Sequence, residues 1–485
     1  MPSSPAARRL RTLAFAVAAS LPGAARAQGL SVPTVGTALS SPATTDGAAV
    51  FHNPGALGFL EEPLLQGDLA LLAGEVGYTR ERRASYQNED SLVFARPVPP
   101  EALDPTKAGR APRVSAVPIA AAPSGFGAVP IGRTGIVVGL GAYSPYAALA
   151  QYDPQGAQRW QLQQALLANV FLTPSMALKV HERVSVGVGV SYVLGFAELS
   201  RVQDFAAVPE LGRALADPPI GQPNEFGPEA PPAVRELGVM ARPFTLRQAF
   251  AHGATFNVGA ALRPTDAVTV GVAYQHSTDL TYRGSFELSM DDSFFTQDLA
   301  SQGLQYKPLV RGEASLGMTL PKMGSAAVRS QANRVLLLQL QGQYTFWSDL
   351  QAFDVRVSSP DLAQPALGVG PTSRILLPRR WNNTFGIEAL ASFSASAVLR
   401  PFGLMGYRSP AAPDETMDAS SPDGHRVVVG GGIEWAMAPR LRFVADLKVQ
   451  AMVPRDVATS DYDLGNGRYT FVLVQGGGHL LWSLR

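Results

Sequence analysis

The 485 residues carry 40 Lys and Arg against 39 Asp and Glu, a net charge of +1, which excludes the basic footprint that nucleic-acid binding needs. Only 16% of the residues are charged and 46% are apolar, whereas an ordinary soluble domain carries about 25% charge. There is no cysteine, so disulfide staples, thiol nucleophiles and thiolate metal sites are excluded as well.

The chain opens on an export signal. Arg8, Arg9 and Arg11 form its positive region, Thr12 to Leu21 its short apolar region, and Ala25-Arg26-Ala27 a small-x-small cleavage site. The apolar run is about half the ~20 residues that a membrane anchor needs. Residues 1–27 are therefore read as a signal peptide and Gln28 as the mature start. No later run reaches the ~18 apolar residues of a spanning helix. Residues 28–64 are apolar and rich in small side chains but lack strand periodicity, and their composition favours folding into whatever follows.

From residue 65 onward the pattern has a period of two. Fourteen strand-like segments are expected, at 65–80, 112–121, 134–146, 160–180, 184–201, 245–262, 268–288, 306–321, 334–357, 379–392, 394–407, 425–438, 441–453 and 468–484. Leu338, Leu340, Tyr344 and Phe346 share one face, opposite Gln339, Gln341, Gln343 and Thr345. Val184, Val186, Val188, Val190 and Tyr192 oppose Ser185, Gly187, Gly189 and Ser191. Leu441, Phe443, Ala445, Leu447 and Val449 oppose a face that holds Arg442, Asp446 and Lys448. A dry soluble core would reject those charges. A wet lumen accepts them.

The links alternate in length too. Short turns fall at 181–183, 263–267, 392–394 and 438–440, with long links at 81–111, 147–159, 202–244, 289–305, 358–378, 408–424 and 454–467. Two links, 122–133 and 322–333, break the rule by being longer than a tight turn. This pattern points to an all-β, transmembrane antiparallel β-barrel of about 14 strands, with long extracellular loops over residues 65–485. The implied location is the outer membrane of a Gram-negative cell, in contact with its lipid and lipopolysaccharide. The barrel assembly machinery is the expected partner in folding. Trp482 stands three positions before the end, where such barrels often place a terminal aromatic.

The pre-barrel segment contains Asp46-Gly47-Ala48-Ala49-Val50-Phe51-His52-Asn53-Pro54-Gly55-Ala56. Asn-Pro-Gly is by itself a tight turn: Asn bonds nearby backbone, Pro fixes φ, and Gly relieves the next residue. In this context the stretch resembles the N-terminal hatch of the FadL/TodX family of outer-membrane transport proteins, whose signature is D-A-x-x-x-x-x-N-P-A-like. Gly55 departs from the usual Ala after Asn-Pro. Val138 to Tyr146 resembles that family's third strand, Asn169 to Leu178 its strand with Pro-Ser, and Gly253 to Gly284 a later hairpin. The resemblance implies a barrel plugged by residues 28–64, passing fatty acid-like or other hydrophobic small molecules by passive diffusion. It further implies a lateral exit at a kink in the third strand, for which Gly139, Gly141, Ser144 and Pro145 are the candidates. Asn53, Pro54 and Gly55 are the hatch motif. The rival reading is a general or substrate-selective porin without obligatory hatch gating.

Tyr152, Trp160, Phe294 and Phe295 lie on long links as candidate docking groups, Trp160 fitting better as a rim aromatic of the membrane interface. Arg442 and Lys448 face inward and are expected to pair with Glu434 or Asp446. The six histidines, at 52, 181, 252, 276, 425 and 479, lack metal-ligand spacing, and no Gly-x-Ser-x-Gly elbow occurs. No cofactor, metal or catalytic residue is expected.

Overall fold

The computed structural model describes residues 35–81, 113–204 and 241–484, apart from 298–299, 301–302, 305, 366–368 and 462–464. The predicted signal peptide, most of link 81–111 and most of link 202–244 lie outside the described residues.

Fourteen crossings form one closed antiparallel sheet. They are β1 (Leu64–Arg80), β2 (Val114–Ala116 and Ile119–Pro130), β3 (Ile136–Gln151), β4 (Gln164–His181), β5 (Val184–Asp204), β6 (Ala241–Thr265) and β7 (Val268–Gln275 and Thr278–Ser289). The second half comprises β8 (Leu309–Leu320 and Met323–Gln331), β9 (Leu336–Thr345 and Ala352–Ser358), β10 (Thr372–Pro378 and Thr384–Phe393), β11 (Leu399–Arg408) and β12 (Arg426–Ala438). It ends with β13 (Leu441–Met452 and Arg455–Val457) and β14 (Gly467–Ser483). Each strand pairs with the next, and β14 pairs with β1 along its length, from Leu64 opposite Ser483 to Arg80 opposite Gly467. Closure removes the edges that a sheet would otherwise present to lipid.

The period-two faces sort as the sequence predicts. Val186, Val190 and Tyr192 are exposed while Ser185 and Ser191 are buried; Leu338, Leu340 and Tyr344 are exposed while Gln339 is buried. The exterior is therefore apolar and the bore polar. On β5 the apolar outer stretch runs from Val184 to Tyr192, nine residues, the length that a strand tilted about 45° needs to cross the hydrocarbon layer. Its upper limit is marked by outward aromatic pairs in which a tyrosine hydroxyl meets a histidine Nδ1: Tyr192–His252 at 2.7 Å, Tyr274–His276 at 2.9 Å and Tyr407–His425 at 2.6 Å. Rings of this amphipathic kind settle at membrane interfaces.

The two exceptions in link length are corrected by the structure. Residues 119–130 are one strand through Pro123, and residues 323–331 continue β8. Every connection at one end of the barrel is then short, the longest being five residues (131–135 and 394–398), and every described connection at the other end is long. The misreadings have physical causes. Pro123 looks like a strand breaker, but it sits where β2 has lost β3 as a partner, so its missing N–H costs no bond there. Met323–Gln331 has few large apolar residues, Val328 being exposed at 45%, so its alternation is faint.

Residues 35–59 pack against the inner face of the wall. A four-residue helical turn α1 (Ala49–His52) runs into a 3-10 turn (Pro54–Phe59) across Asn53. Ala48, Ala49, Val50, Ala56 and Leu57 are all fully buried.

Candidate functional site

The leading segment is held from opposite sides of the wall. Asn53 donates to the Pro42 carbonyl (2.7 Å) and to the Ala260 carbonyl of β6 (2.9 Å), and its own oxygen accepts from the Gly55 N–H (3.0 Å). Pro54 and Gly55 complete the turn, pressed against Gly187 of β5 and Gly259 of β6. A side chain at Gly187 would overlap the Pro54 backbone, which explains a bare glycine on the inner face there. From β6, Asn257 donates to the Val50 carbonyl (2.8 Å). From β1, the Gln66 side-chain carbonyl accepts from the Gly47 N–H (2.9 Å), and from β13, Asp446 accepts from the Ala38 N–H (2.9 Å). From β8, the Arg329 guanidinium reaches the Leu39 carbonyl at 3.4 Å.

The inward charges are paired. Arg442 meets Glu434 (2.9 Å) as anticipated, but Lys448 pairs with Glu388 of β10 (3.2 Å). Asp446 is engaged by His479 Nε2 (3.1 Å), whose Nδ1 contacts Asp68 (2.8 Å). Among the described residues no group of His, Asp or Glu has the arrangement of a metal site.

The third strand pairs only in part with its neighbours. β3 pairs with β2 only from Val137 to Ala142, and beyond Ala142 the two strands part. Its register with β4 slips between Tyr143 and Tyr146, throwing Ser144 and Pro145 out of the ladder on that side also. Pro145 has no N–H to donate, and the Ser144 hydroxyl is buried with no hydrogen-bond partner among the described residues. Asn169 of β4 compensates in part by donating to the Tyr146 carbonyl (3.3 Å). Gly139 and Gly141 face the leading segment. They lie under Val50 and Leu57 of the leading segment, and a Cβ at Gly141 would stand 3.0 Å from Val50.

An aromatic series runs from this break to the mid-strand interruptions of β9 and β10. Trp381 and Trp347 are 5.2 Å apart by ring centroid, Trp347 and Tyr146 6.5 Å, Tyr146 and Phe171 6.1 Å, and Phe171 and Tyr143 5.8 Å. Tyr143 then meets Phe126 of β2 at 5.7 Å and Phe51 of the leading segment at 5.2 Å. No sequence pattern announces this series, because its members sit on separate strands and strand interruptions and meet only after closure. Beside it lies a cavity of about 90 Å³ lined by Phe51, His52, Pro145, Tyr146, Glu388 and Lys448 among others. A dry cavity of about 150 Å³ admits benzene, so the space as it stands is too small for a ring.

Further toward the long-link end, Trp160 is buried beneath the Arg159 guanidinium (4.5 Å) rather than placed at the lipid rim, which corrects the rim expectation. Tyr152 is buried with its hydroxyl on the Ala419 carbonyl (3.0 Å), and Phe295 is fully buried against Tyr306. The Phe294 side chain lies outside the described residues.

A family model described as outer membrane protein transport protein (OMPP1/FadL/TodX) matches residues 13–476. The chain belongs to this family. Solved structures of the same fold include a FadL homologue of Pseudomonas aeruginosa, 21% identical, covering 94% of this chain and all of that one with a TM-score of 0.73. The toluene transporter TodX of Pseudomonas putida is 13% identical over 95% of this chain and 99% of its own, with a TM-score of 0.64. The toluene transporter TbuX of Ralstonia pickettii is 16% identical over 92% and 98%, with a TM-score of 0.59. No curated protein has a significantly similar sequence. Membership of the FadL/TodX family places the protein in the Gram-negative outer membrane and makes it a transport protein.

Proposed function

We propose that this protein lets hydrophobic molecules of fatty-acid or hydrocarbon type cross the outer membrane by passive diffusion, with the long-link end facing outside. The solute enters among the aromatics at that end and follows the series from Trp381 to Tyr143. Residues 28–64 act as a hatch closing the bore below, held through Asn53-Pro54-Gly55. The solute leaves sideways where β3 parts from β2 above Ala142. The observation that carries this reading is the aromatic series itself, which ends where the wall opens and where Phe51 of the leading segment touches it.

The rings are buried against one another, so a solute reaches them only where they part; a hydrophobic solute then gains area and edge-to-face contact, and a polar one does not. In this reading the 90 Å³ cavity is too small for the solute, and passage involves a shift of Phe51 and the leading segment. Two neighbours of this fold, TbuX and TodX, are toluene transporters, which supports the hydrophobic class. Purification in mild detergent followed by mass spectrometry tests the proposal: a co-purifying fatty acid or hydrocarbon is expected. Recovery of sugars or other polar solutes alone would favour the porin reading.

A further inference from the structure

Above the tyrosine–histidine belt the outer wall changes character on β6 to β10. Tyr282, Phe286, Val310, Ala314, Val355 and Val357 are buried on the inner face, and the alternate residues point outward. The outward residues form rows fixed by strand register. In one row Arg283 of β7 stands opposite Ser315 of β8, Ser315 opposite Arg356 of β9, and Arg356 opposite Arg374 of β10. In the next row, Ser285, Glu313, Ser358 and Thr372 follow one another in the same way. All of them except Ser285 line an open recess of about 850 Å³.

Arginines directly opposite one another on a sheet repel, an arrangement that destabilises unless an anion lies between them. Asp354 answers part of this by binding both Arg356 (2.9 Å) and Arg374 (2.8 Å). The nearby Glu287 does the same for Arg247 (2.9 Å) and Arg311 (3.1 Å). Five arginines still stand against four acids (Asp279, Glu287, Glu313 and Asp354), a surplus of one positive charge. The four paired guanidiniums keep side-chain exposures of 56–67%, so they stay open to solvent beside their acids.

Height above the membrane selects the partner. Arg283 lies seven residues beyond His276 along β7. At about 3.3 Å per residue that is roughly 23 Å of strand, or about 16 Å of height at a tilt near 45°. Phospholipid headgroups add only about 5–8 Å to each side of the hydrocarbon layer. An anion that meets this row must be carried on a headgroup projecting farther.

We propose that this face docks the phosphorylated, acidic sugar headgroup of outer-leaflet lipopolysaccharide. Arg283, Arg356 and Arg374 bind its anionic groups in bidentate fashion, and Ser315, Ser358 and Thr372 bind its hydroxyls. The assignment rests on the outward orientation of the long-link end in the preceding reading. That orientation has its own check in a chain with no native cysteine: a Ser373→Cys protein on intact cells should react with a membrane-impermeant maleimide.

The binding test uses the purified full chain in mild detergent and native mass spectrometry. Lipopolysaccharide with a phosphorylated core should form a one-to-one adduct that weakens as salt rises. The triple variant Arg283→Ser/Arg356→Ser/Arg374→Ser should lose at least tenfold in affinity while keeping its folded gel mobility. Competition on the wild-type protein needs no variant: deacylated phosphorylated core saccharide should displace the lipopolysaccharide, and its dephosphorylated counterpart should not. Equal binding by the triple variant would overturn the proposal. So would equal displacement by the dephosphorylated saccharide, by inorganic phosphate or by phosphatidylglycerol.

Discussion

Asn53 does at the residue scale what no neighbour duplicates. Its amide binds the leading segment to itself through Pro42, to the wall through Ala260, and shapes its own turn through Gly55, while fully buried. Replacing it with alanine strands two carbonyls and one N–H, each costing about 1–3 kcal/mol when buried without a partner. Asn53→Ala should therefore release the leading segment while the barrel, whose own ladder is untouched, still folds. Limited proteolysis after residue 35 would report the release, and unchanged protection would refute it. Gly187→Val attacks the same contact from the wall, since its side chain would overlap the Pro54 backbone. It should produce the same loosening with every Asn53 hydrogen-bonding group present. The Asn-Pro-Gly turn was legible in the sequence because turn chemistry is local. The partners Ala260 and Gly187 were not, because they lie 207 and 133 positions away and come into reach only when the barrel closes.

At the scale of elements, β3 carries the argument. It is a spanning strand with two pairings below Ala142 and one, interrupted, above it. If solute leaves through that gap, bridging the gap should stop transport without altering the bore. The absence of native cysteine makes the experiment clean: Ala122→Cys on β2 and Ser144→Cys on β3 can be joined by a reducible bifunctional thiol reagent. Hydrophobic-solute uptake should fall on bridging and return on reduction, while uptake that ignores the bridge would remove the lateral exit. The register slip falls at Pro145, a residue whose missing N–H is visible in the sequence. The parting from β2 is not visible there, since a pairing that stops leaves no mark in either strand's own alternation.

The links at the other end of these strands make a separate prediction. Asp418, on the link between β11 and β12, is driven up by burial, yet Arg379 at 2.7 Å and the Ser420 hydroxyl and N–H hold it below the usual carboxylate range. A depressed carboxyl stabilises the fold above its unfolded pKa, near 3.9, and that contribution disappears as pH falls through the lower folded value. Asp418→Asn leaves Arg379 buried beside a neutral amide, a loss of about 3 kcal/mol by analogy with broken buried pairs. Its melting temperature should lie below that of the wild type at pH 7, and the difference should shrink toward pH 3. A gap that stayed constant with pH would show that the pair contributes nothing.

For the whole molecule the question is whether the leading segment stoppers the bore or merely decorates it. The wall groups that hold it are polar: Gln66, Asn257, Arg329 and Asp446. Water can replace the segment at each of them at little cost, so a barrel without it has no unsatisfied lining to collapse around. The apolar side chains that would suffer, Val50 and Leu57, belong to the segment and leave with it. Deleting residues 28–60 should therefore yield a folded, less heat-stable barrel whose planar-bilayer recordings show steady small-ion steps absent from the intact protein. A porin carrying an incidental N-terminal extension predicts the same conductance before and after deletion. Hydrophobic uptake separates the readings a second time. The aromatic series stays in the wall after the deletion except for Phe51, so a ladder-guided solute loses its last ring and its closed gate together. It should leak rather than be guided, with uptake losing its preference for hydrophobic over polar solutes of equal size. Retained preference would place the selectivity entirely in the wall and would leave the leading segment with no part in the choice of solute.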